Sequence, residues 1–275
     1  MQSITKSVPH PVVGTELVRD WKPNREPRAV LVLVHGLFEH SGRYELLGSM
    51  MSDAGIHARS FDLLGGGGSG GRRWDTPNWE MFHDQLQTHL EWALDQGPPV
   101  ILMGHSTGAT ISLSYIFEER PKPQMVVLSS PLIEVRRTWQ QMILPVMAKI
   151  APRMHIPSPV KNEDLSRDPE VGEAYHADPL VFPVATPRFG VALNEEMGRL
   201  QNLMHDPGIP TFVFHGGQDP IVPPQGSAHL ADLASVERKL YPTLRHETMN
   251  EPEGPEVVAN VIQWVDDQLE QAGSV

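Results

Sequence analysis

Short apolar runs and longer amphipathic stretches alternate along most of the chain. Apolar runs rich in Val, Ile, Leu and Phe predict strands at residues 29–34, 100–103, 124–128 and 211–215, and two more mixed segments, 56–62 and 237–241, are also predicted as strands. The stretches between and after them predict helices at about residues 41–53, 78–96, 109–117, 226–233 and 255–271. Because strands that alternate with helices at this spacing pair in parallel, we predict an α/β fold with a doubly wound, mostly parallel sheet.

The first residues of the chain carry a weaker pattern. Residues 11–21 predict a short strand or hairpin, which we expect at an edge of the sheet. Ser41 is the expected N-cap of the first helix, and Thr76 or Asn78 that of the second. Each cap would satisfy a backbone amide that has no acceptor inside its helix.

The alternation stops between residues 131 and 207, where prolines recur and no comparable strand is found. We predict that 131–207 form a helical cap inserted into an α/β core made of residues 1–130 and 208–275. Its stretch Trp139–Ile150 is amphipathic and rich in methionine. The candidate contacts to an acyl chain in this stretch are Met142, Ile143, Met147 and Ile150. The alternative is that these side chains only pack the cap onto the core.

A glycine-rich stretch at residues 65–71 contains the G-x-G-x-x-G spacing of dinucleotide sites. Such a site needs a helix N-terminus directly after the glycines to receive the pyrophosphate, but Arg-Arg-Trp-Asp-Thr-Pro follows here. A phosphate-binding P-loop is excluded as well, since no Lys-Ser/Thr pair follows. We therefore predict a flexible loop.

Composition and charge narrow the possible functions. The 275 residues include no cysteine, which excludes disulfides, thiolate catalysis and cysteine-ligated metal sites. The net charge of −12 argues against nucleic acid as a partner and against electrostatic docking on anionic lipid. The N-terminus lacks the apolar core of a secretory signal, so we expect a cytoplasmic protein. A neutral or apolar substrate fits this charge best.

The segment from Gly104 to Gly108 matches G-x-S-x-G and lies between a predicted strand and a predicted helix. That context is typical of a nucleophile turn, in which flanking glycines allow the serine a strained backbone at the carboxyl edge of the sheet. Ser106 is therefore the candidate nucleophile. An ordinary turn flanked by glycines is the alternative.

Two further residues complete a catalytic triad at the same edge. Asp219 and His246 both follow predicted strands, and the chain order is Ser, Asp, His. An imidazole can take the proton of a serine hydroxyl, and a carboxylate behind it fixes its tautomer. We expect His246 as the base and Asp219 as the orienting carboxylate. The alternatives are an Asp-Pro turn for Asp219 and a surface histidine for His246.

The negative oxygen formed during acyl transfer needs amide donors. We expect the N–H groups of Thr107 and Leu37, because each follows the carboxyl end of a strand at this edge. His35 is expected to brace the Leu37 turn by hydrogen bonds. A zinc helix of the H-E-x-x-H type fails at Asn250, so no metal is expected.

Other polar residues near these segments are expected to support the site rather than to react. His40, His105 and His215 are expected to make supporting hydrogen bonds. Glu247 and Glu251 are expected to hold the loop that carries His246.

Taken together, these segments resemble the α/β-hydrolase superfamily, and within it the monoacylglycerol lipase and lysophospholipase group. The resemblance covers the chain from about residue 29. It rests on His35-Gly-Leu-Phe-Glu-His-Ser-Gly-Arg-Tyr44, Gly104-His-Ser-Thr-Gly108, Leu165-Ser-Arg-Asp-Pro169 with Asp178-Pro-Leu180, His215-Gly-Gly-Gln-Asp219 and His246-Glu-Thr-Met-Asn-Glu251.

The resemblance implies hydrolysis of single-chain glycerolipid esters without a cofactor, under a cap that forms an acyl tunnel. It also implies transient contact with a membrane or micelle through the cap, and it gives the triad and the two amides the roles stated above. Two positions depart from the group. Gly66 stands where the group usually has a histidine, and Thr107 stands where methionine is common. Both departures bear on substrate preference.

We therefore predict a serine ester hydrolase that acts on monoacylglycerol-like or lysophospholipid-like esters through an acyl-enzyme. The location is expected to be cytoplasmic or peripheral to a membrane. The alternatives within enzymes are a small-ester carboxylesterase and a serine aminopeptidase-like hydrolase. A ligand-binding relative without activity is the alternative outside enzymes.

Overall fold

An eight-stranded sheet with helices on both faces organises the protein, as a computed structural model shows. The structure describes residues 2–134 and 139–273, and for residues 139–142 it describes the backbone only. The strands are β1 (Ile4–His10), β2 (Gly14–Trp21), β3 (Ala29–Val34), β4 (Ile56–Phe61), β5 (Val100–His105), β6 (Met125–Ser129), β7 (Ile156–Pro157), β8 (Val184–Ala185), β9 (Thr211–Gly216) and β10 (Val236–Tyr241). The α-helices are α1 (Glu45–Asp53), α2 (Glu80–Leu94), α3 (Thr107–Ile116), α4 (Trp139–Ile150), α5 (Asn162–Leu165), α6 (Pro169–Ala177), α7 (Pro187–Leu203) and α8 (Gly254–Gly273).

The strand order of the large sheet is β1-β2-β4-β3-β5-β6-β9-β10. The strands from β4 to β10 in this order pair in parallel, whereas β1 with β2 and β2 with β4 pair antiparallel. The prediction of a doubly wound, mostly parallel sheet is confirmed. Because the parallel strands point the same way, their carboxyl ends meet at one edge, where ligands bind in folds of this kind.

The residues of β3 alternate between two hydrophobic clusters, one on each face of the sheet. Val30, Val32 and Val34 pack with buried side chains of α2, α3 and α7. Leu31 and Leu33 pack with those of α1 and α8. Since both of its faces are covered, β3 is a continuous apolar run rather than an alternating pattern.

Several elements differ from the predictions in their bounds or helix type. The edge hairpin begins at Ile4, where polar and exposed residues of β1 gave no strand pattern. The first helix begins with a 3₁₀ turn (Ser41–Tyr44), and its cap is His40, whose Nδ1 accepts from Gly42 N–H at 3.1 Å; the expected cap at Ser41 is wrong. The helix predicted at 226–233 is a 3₁₀ helix (Pro224–Asp232).

The second helix also begins later than predicted, at Glu80. Its N-cap position is Trp79, which makes no side-chain cap hydrogen bond. The Asn78 side chain still supports this end, because its carbonyl oxygen accepts from Met81 N–H at 3.3 Å. Thr76 instead donates its hydroxyl to the Asn78 carbonyl, so it acts one turn earlier.

The glycine-rich stretch 65–71 forms a mostly buried, hydrogen-bonded loop, so the prediction of a flexible loop is wrong. The Asp62 carboxylate organises it and accepts from Gly68 N–H at 2.7 Å. Gly67 has φ 46°, and a Cβ there would lie 2.2 Å from the same carboxylate. Glycine is required because the backbone passes so close to Asp62.

Between β6 and β9 the chain forms α4 to α7 and the small β7–β8 sheet. Hydrogen bonds and ion pairs connect this segment to the domain that contains the large sheet. His40 Nε2 lies 2.8 Å from an Asp178 carboxylate oxygen, and the buried Asp75 carboxylate pairs with Arg188 and Arg153. Within the described part of the chain, no helix is long and apolar enough to cross a membrane.

Candidate active site

The turn after β5 holds Ser106 in a strained backbone conformation, with φ 53° and ψ −118°. A Cβ at Gly104 would lie 2.4 Å from the carbonyl oxygen of Gly108, and one at Gly108 would lie 2.2 Å from that of Val34. These distances leave no room for side chains. The structure thus confirms the turn geometry that the G-x-S-x-G spacing predicts.

Asp219 and His246 meet at the same edge of the sheet, after β9 and β10. His246 Nδ1 lies 2.7 Å from Asp219 Oδ2. The other carboxylate oxygen of Asp219 accepts from the backbone N–H groups of Ile221 and Val222, each at 2.9 Å. These bonds fix the carboxylate, which in turn fixes Nδ1 of His246 as the protonated nitrogen and leaves Nε2 free to act as a base.

The charges of this pair stabilise each other. Burial tends to raise the pKa of Asp219, but the charge of His246 and hydrogen bonds from His215 and His246 outweigh it and hold that pKa well below its usual range. Burial likewise tends to lower the pKa of His246, but the Asp219 carboxylate, followed by Glu247 and Glu39, raises it above its ordinary value. The carboxylates around His246 therefore stabilise its protonated form.

Ser106 and His246 line one cavity of about 150 Å³ at this edge. The apolar side chains that line it come from both the sheet domain and the inserted segment: Leu37, Phe38, Leu132, Val160, Leu165, Ile221 and Val222. The polar side chains that line it are Glu39, His105, Thr107, Tyr175 and Glu247. The cavity lining thus combines apolar and polar side chains with the serine and the histidine.

The turn after β3 brings Leu37 to this cavity. Phe38 has φ 71°, and a Cβ at Gly36 would lie 3.3 Å from Ser106 Cβ, so the turn packs directly against the serine. His35 braces it as expected: Nδ1 lies 2.7 Å from Gly36 O, and Nε2 accepts from Leu63 N–H at 2.9 Å. Burial lowers the pKa of His35, which keeps the ring neutral in this role.

Thr107 opens helix α3, so its N–H is one of those that have no acceptor inside the helix. It lines the cavity together with Leu37 and Ser106. Leu37 and Thr107 thus both line the cavity beside Ser106, and their role as amide donors stays a prediction. The positive end of the α3 dipole lies at the same point.

The supporting polar residues behave as expected. His105 Nδ1 lies 3.0 Å from Ser129 Oγ, and His215 Nδ1 lies 2.9 Å from Ser227 Oγ. His40 bonds to Asp178, as described for the fold. Burial, with repulsion from His246, lowers the pKa of His105 to about 4.

Both glutamates hold the His246 loop. Glu247 is paired with Arg43, with 2.8 Å between its Oε2 and Nη2 of the arginine. Glu251 accepts from the N–H groups of Arg245 and Arg167, at 2.7 and 2.9 Å. The two carboxylates thus tie the loop to the first helical turn and to the inserted segment.

Of the α4 residues expected to contact an acyl chain, Ile143, Met147 and Ile150 lie outside the cavity lining. Ile143 and Ile150 are 43% and 79% exposed, and Met147 is half-buried. Met142 lies outside the described side chains. The inserted segment instead lines the cavity through Val160, Leu165 and Tyr175.

Sequence reasoning missed these three lining residues for a physical reason. Helices α5 and α6 are only four and nine residues long, so they carry less helical periodicity than the twelve-residue α4. The one signal present was Leu165, which opens the Leu-Ser-Arg-Asp-Pro segment.

A larger cavity of about 470 Å³ lies between the β1–β2 hairpin and α2. Its polar groups bond to one another: the Glu16 carboxylate lies 2.8 Å from His89 Nε2 and accepts from Gln85 at 2.5 Å. The smaller cavity is the candidate active site because it holds the strained serine and the histidine. Among the described residues, no group of three or more His, Asp or Glu side chains is placed to hold a metal ion.

A family model described as serine aminopeptidase, S33 matches residues 25–253. The chain belongs to this family. Among its relatives, a monoacylglycerol lipase of Mycolicibacterium smegmatis is 34% identical over 267 residues, which are 92% of this chain and 94% of the relative. The human monoglyceride lipase is 28% identical, with 93% of this chain and 88% of the relative covered.

A similar fold is found in the crystal structure of a monoacylglycerol lipase of Paleococcus ferrophilus. The TM-score is 0.83 and the identity 27%, with 91% of this chain and 98% of that chain covered. The expected α/β-hydrolase fold is therefore confirmed. The protein is a serine hydrolase of carboxylic esters.

Proposed function

We propose that this hydrolase cleaves monoacylglycerol-like esters, with Ser106 as nucleophile, His246 as base and Asp219 as the orienting carboxylate. The observation that carries the proposal is the strained Ser106 turn, which faces the same cavity as the His246–Asp219 pair. This arrangement suits acyl transfer because nucleophile, base and orienting group follow three strands of one rigid sheet.

The first half of the reaction forms an acyl-enzyme. Ser106 Oγ attacks the ester carbonyl carbon while His246 Nε2 takes the hydroxyl proton, and the carbonyl oxygen becomes negative. The amides of Leu37 and Thr107 bind that oxygen, and loss of one such donor typically costs about 10²–10³ in rate. His246 then gives the proton to the alkoxide as the carbon–oxygen bond breaks, and the alcohol leaves.

The second half releases the acid. Water attacks the acyl carbon while His246 takes one of its protons, and Ser106 recovers that proton as its bond to carbon breaks. The raised pKa of His246 supports both proton transfers, since the imidazolium formed in each is stabilised by Asp219.

The mixed lining of the cavity supports a single-chain lipid as substrate. Contact between an alkyl chain and the apolar lining residues would stabilise binding by about 0.8 kcal/mol per buried methylene. For a glycerol head group, the Tyr175 hydroxyl offers a hydrogen-bond partner, while Glu39 and Glu247, which line the same cavity, are paired with Arg43. Because two carboxylates share one arginine there, a phosphate head group meets net negative charge. We therefore favour monoacylglycerols over lysophospholipids.

We further propose that residues 131–207 act as a cap that touches a lipid surface. An exposed apolar ridge supports this role, and it consists of Ile143, Val146, Ile150 and Met154. Isolated exposed apolar residues are common, but a contiguous row on one helix and the turn after it is typical of an interfacial contact. On this proposal Ile143 and Ile150 meet lipid outside the cavity.

A peptidase that releases N-terminal residues is less favoured. Such an enzyme needs a recessed carboxylate that is free to pair with the substrate amine. Glu39 and Glu247 line the cavity, but Arg43 engages both of them. A small-ester carboxylesterase would share the triad, and it differs only in chain-length preference.

The test is hydrolysis of two substrate series by the wild-type protein and the Ser106→Ala variant. One series holds glycerol esters from acetyl to palmitoyl, and the other holds lysophosphatidylcholine and alanine 4-nitroanilide. We expect activity that rises with chain length to a cutoff, with glycerol esters preferred, and none in the variant. Activity on acetyl esters alone contradicts the lipid assignment, and cleavage of the anilide alone supports a peptidase.

A further inference from the structure

A buried arginine joins two loops of the candidate active site. Arg43, in the 3₁₀ turn before α1, lies with its guanidinium between Glu39 and Glu247. Nη2 is 2.8 Å from Glu247 Oε2, Nη1 also bonds Glu247 Oε1, and Nη1 is 3.2 Å from Glu39 Oε2. The exposed fractions of the three side chains are 10%, 5% and 6%, so water screens these charges little.

The Glu39 carboxylate holds the turn that presents Leu37. Its Oε1 accepts from Gly36 N–H and from the Tyr44 hydroxyl, both at 2.6 Å. Gly36 directly precedes Leu37, so a shift of this carboxylate moves the proposed oxyanion amide. The first contact of the arginine therefore bears on that amide.

The Glu247 carboxylate holds the loop that presents His246. Glu247 is the next residue in the chain, its N–H donates to Leu165 O at 2.8 Å, and its Oε2 accepts from Asn250 at 2.9 Å. The Arg43 guanidinium thus connects the oxyanion turn with the histidine loop through two carboxylates. A fork of this kind fixes geometry better than a lysine could.

The group of Glu39, Arg43 and Glu247 also carries net negative charge near the His246 imidazole, because two carboxylates share one guanidinium. Burial tends to raise the pKa of Glu39, but Arg43 and nearby histidines lower it to about 2, so the carboxylate stays ionised. Burial opposes the charge of Arg43 too, but Glu247 and Glu39 raise its pKa. The titratable groups around His246 are Asp219 and His105, which contact it, and His215, Glu39, Arg43, Tyr44, Tyr175 and Glu247, which contact those groups or line the same cavity.

We propose that Arg43 is a positioning residue for ester hydrolysis, which sets the Leu37 amide and His246 relative to Ser106, and that Glu247 stabilises protonated His246. This inference rests on the roles proposed above for Ser106, His246 and Leu37. It goes beyond them because neither Arg43 nor Glu247 touches the reacting atoms.

The test uses 4-nitrophenyl butyrate, whose leaving group has no glycerol hydroxyls, so that a head-group contact cannot contribute. The measurement is kcat and KM against pH for wild type, Glu247→Gln, Arg43→Lys and Arg43→Met. The acidic limb of kcat/KM reports the pKa of His246 in the free enzyme. Removing the Glu247 charge lowers that pKa, so we expect the limb to move about one unit toward lower pH.

The arginine variants separate charge from geometry. Arg43→Lys keeps the charge but loses the fork, so we expect kcat to fall about 10- to 100-fold while the acidic limb moves little. Arg43→Met leaves the carboxylates without their cation, so we expect the limb to move toward higher pH, opposite to Glu247→Gln. A merely structural role predicts no such opposed shifts. The glutamine variant keeps the shape of the bridge, so the test stands even if Arg43→Met fails to fold.

A matched control lies in the same chain. Arg199 bridges Glu196 and Glu118 with the same one-fork, one-contact arrangement, and none of the three lines the cavity. Glu196→Gln and Arg199→Lys should leave both kcat and the limb at wild-type values. The proposed roles of Arg43 and Glu247 are overturned if the acidic limb of Glu247→Gln stays at the wild-type pH, or if the control variants change as much as the Arg43 and Glu247 variants. Activity retained by Ser106→Ala overturns the proposed function instead.

Discussion

At the scale of a single residue, the two oxygens of the Asp219 carboxylate have different partners. One oxygen anchors the carboxylate to the backbone at Ile221 and Val222, and the other faces His246. The raised pKa of His246 depends on that second contact after burial has acted against it. Because only neutral His246 can act as a base, activity should fall as the pH drops through a value above 6.5, the ordinary pKa of histidine.

Replacement of Asp219 by Asn should keep the anchor and remove the charge. The amide oxygen can still accept from the backbone, but the amide group no longer selects the right tautomer of His246. We expect kcat for ester hydrolysis to fall about 10⁴-fold and thermal unfolding to change little. Steady-state kinetics and calorimetry measure the two quantities.

The control for this prediction is Asp206→Asn. Asp206 also accepts backbone N–H groups, those of Gly208 and Ser235 at 2.9 and 3.0 Å, but it lies in another loop. Its variant should hydrolyse esters at the wild-type rate. Wild-type kcat in Asp219→Asn, or equal losses in both variants, contradicts the assignment of Asp219.

Sequence alone identified the residues that follow strand ends, but not the residues around them. Ser106, Asp219 and His246 could be found because chain order and strand ends fix their edge of the sheet. Tyr175 and Arg43 could not, since their roles depend on how a separate helix and a short 3₁₀ turn pack against that edge. Such contacts join distant parts of the chain and leave no periodic pattern.

At the scale of elements, the turn between β5 and α3 has the narrowest tolerance. A Cβ at Gly108 would meet the carbonyl oxygens of Val34 and His35 at 2.2 and 2.4 Å. We expect Gly108→Ala to lower the melting temperature and to abolish ester hydrolysis, because strand β3 or helix α3 must move to make room. Thermal unfolding and an ester assay measure both effects.

Gly198→Ala provides the opposite case. Gly198 lies inside α7, and a Cβ there would meet nothing within 4 Å. Alanine in a helix is favoured over glycine by about 0.5–1 kcal/mol, so this variant should melt at a higher temperature with unchanged activity. If Gly108→Ala behaves like Gly198→Ala, the close packing of the turn is wrong.

Whether an element could be predicted depended on how fully both its faces are covered. The central strand β3 matches its predicted bounds because a strand between two helical layers must be apolar throughout. Strand β1 was missed because its side chains are mostly exposed and mix polar with apolar types. The prediction of a flexible loop at 65–71 was wrong for another reason. The backbone of this loop packs against the Asp62 carboxylate, and a glycine-rich sequence does not reveal such a contact.

At the scale of the whole molecule, net charge and exposed apolar surface have opposite effects on binding to a membrane. The charge of −12 opposes anionic membranes as a whole. The apolar ridge on and after α4 is compatible with a neutral lipid surface. The cytoplasmic location expected from the N-terminus stays a prediction.

We expect the Val146→Asp and Ile150→Asp variants to bind neutral phosphatidylcholine vesicles less than wild type, since each puts a charge into the proposed contact. Hydrolysis of a water-soluble ester should be unchanged, because neither residue lines the cavity. Co-sedimentation with vesicles measures the binding. The control is Ile4→Asp, a residue 60% exposed on β1; equal loss of binding there contradicts the ridge.

Covalent labelling tests the central claim of a Ser106 nucleophile most directly. The protein is treated with a fluorophosphonate, which reacts with activated serines, and the modified peptide is identified by mass spectrometry. We predict one adduct, on Ser106, with complete loss of ester hydrolysis. Ser112→Ala, which removes a hydroxyl that is buried without a hydrogen-bond partner among the described residues, should label and react as wild type does. An adduct on another serine, or hydrolysis that persists in Ser106→Ala, would contradict the account.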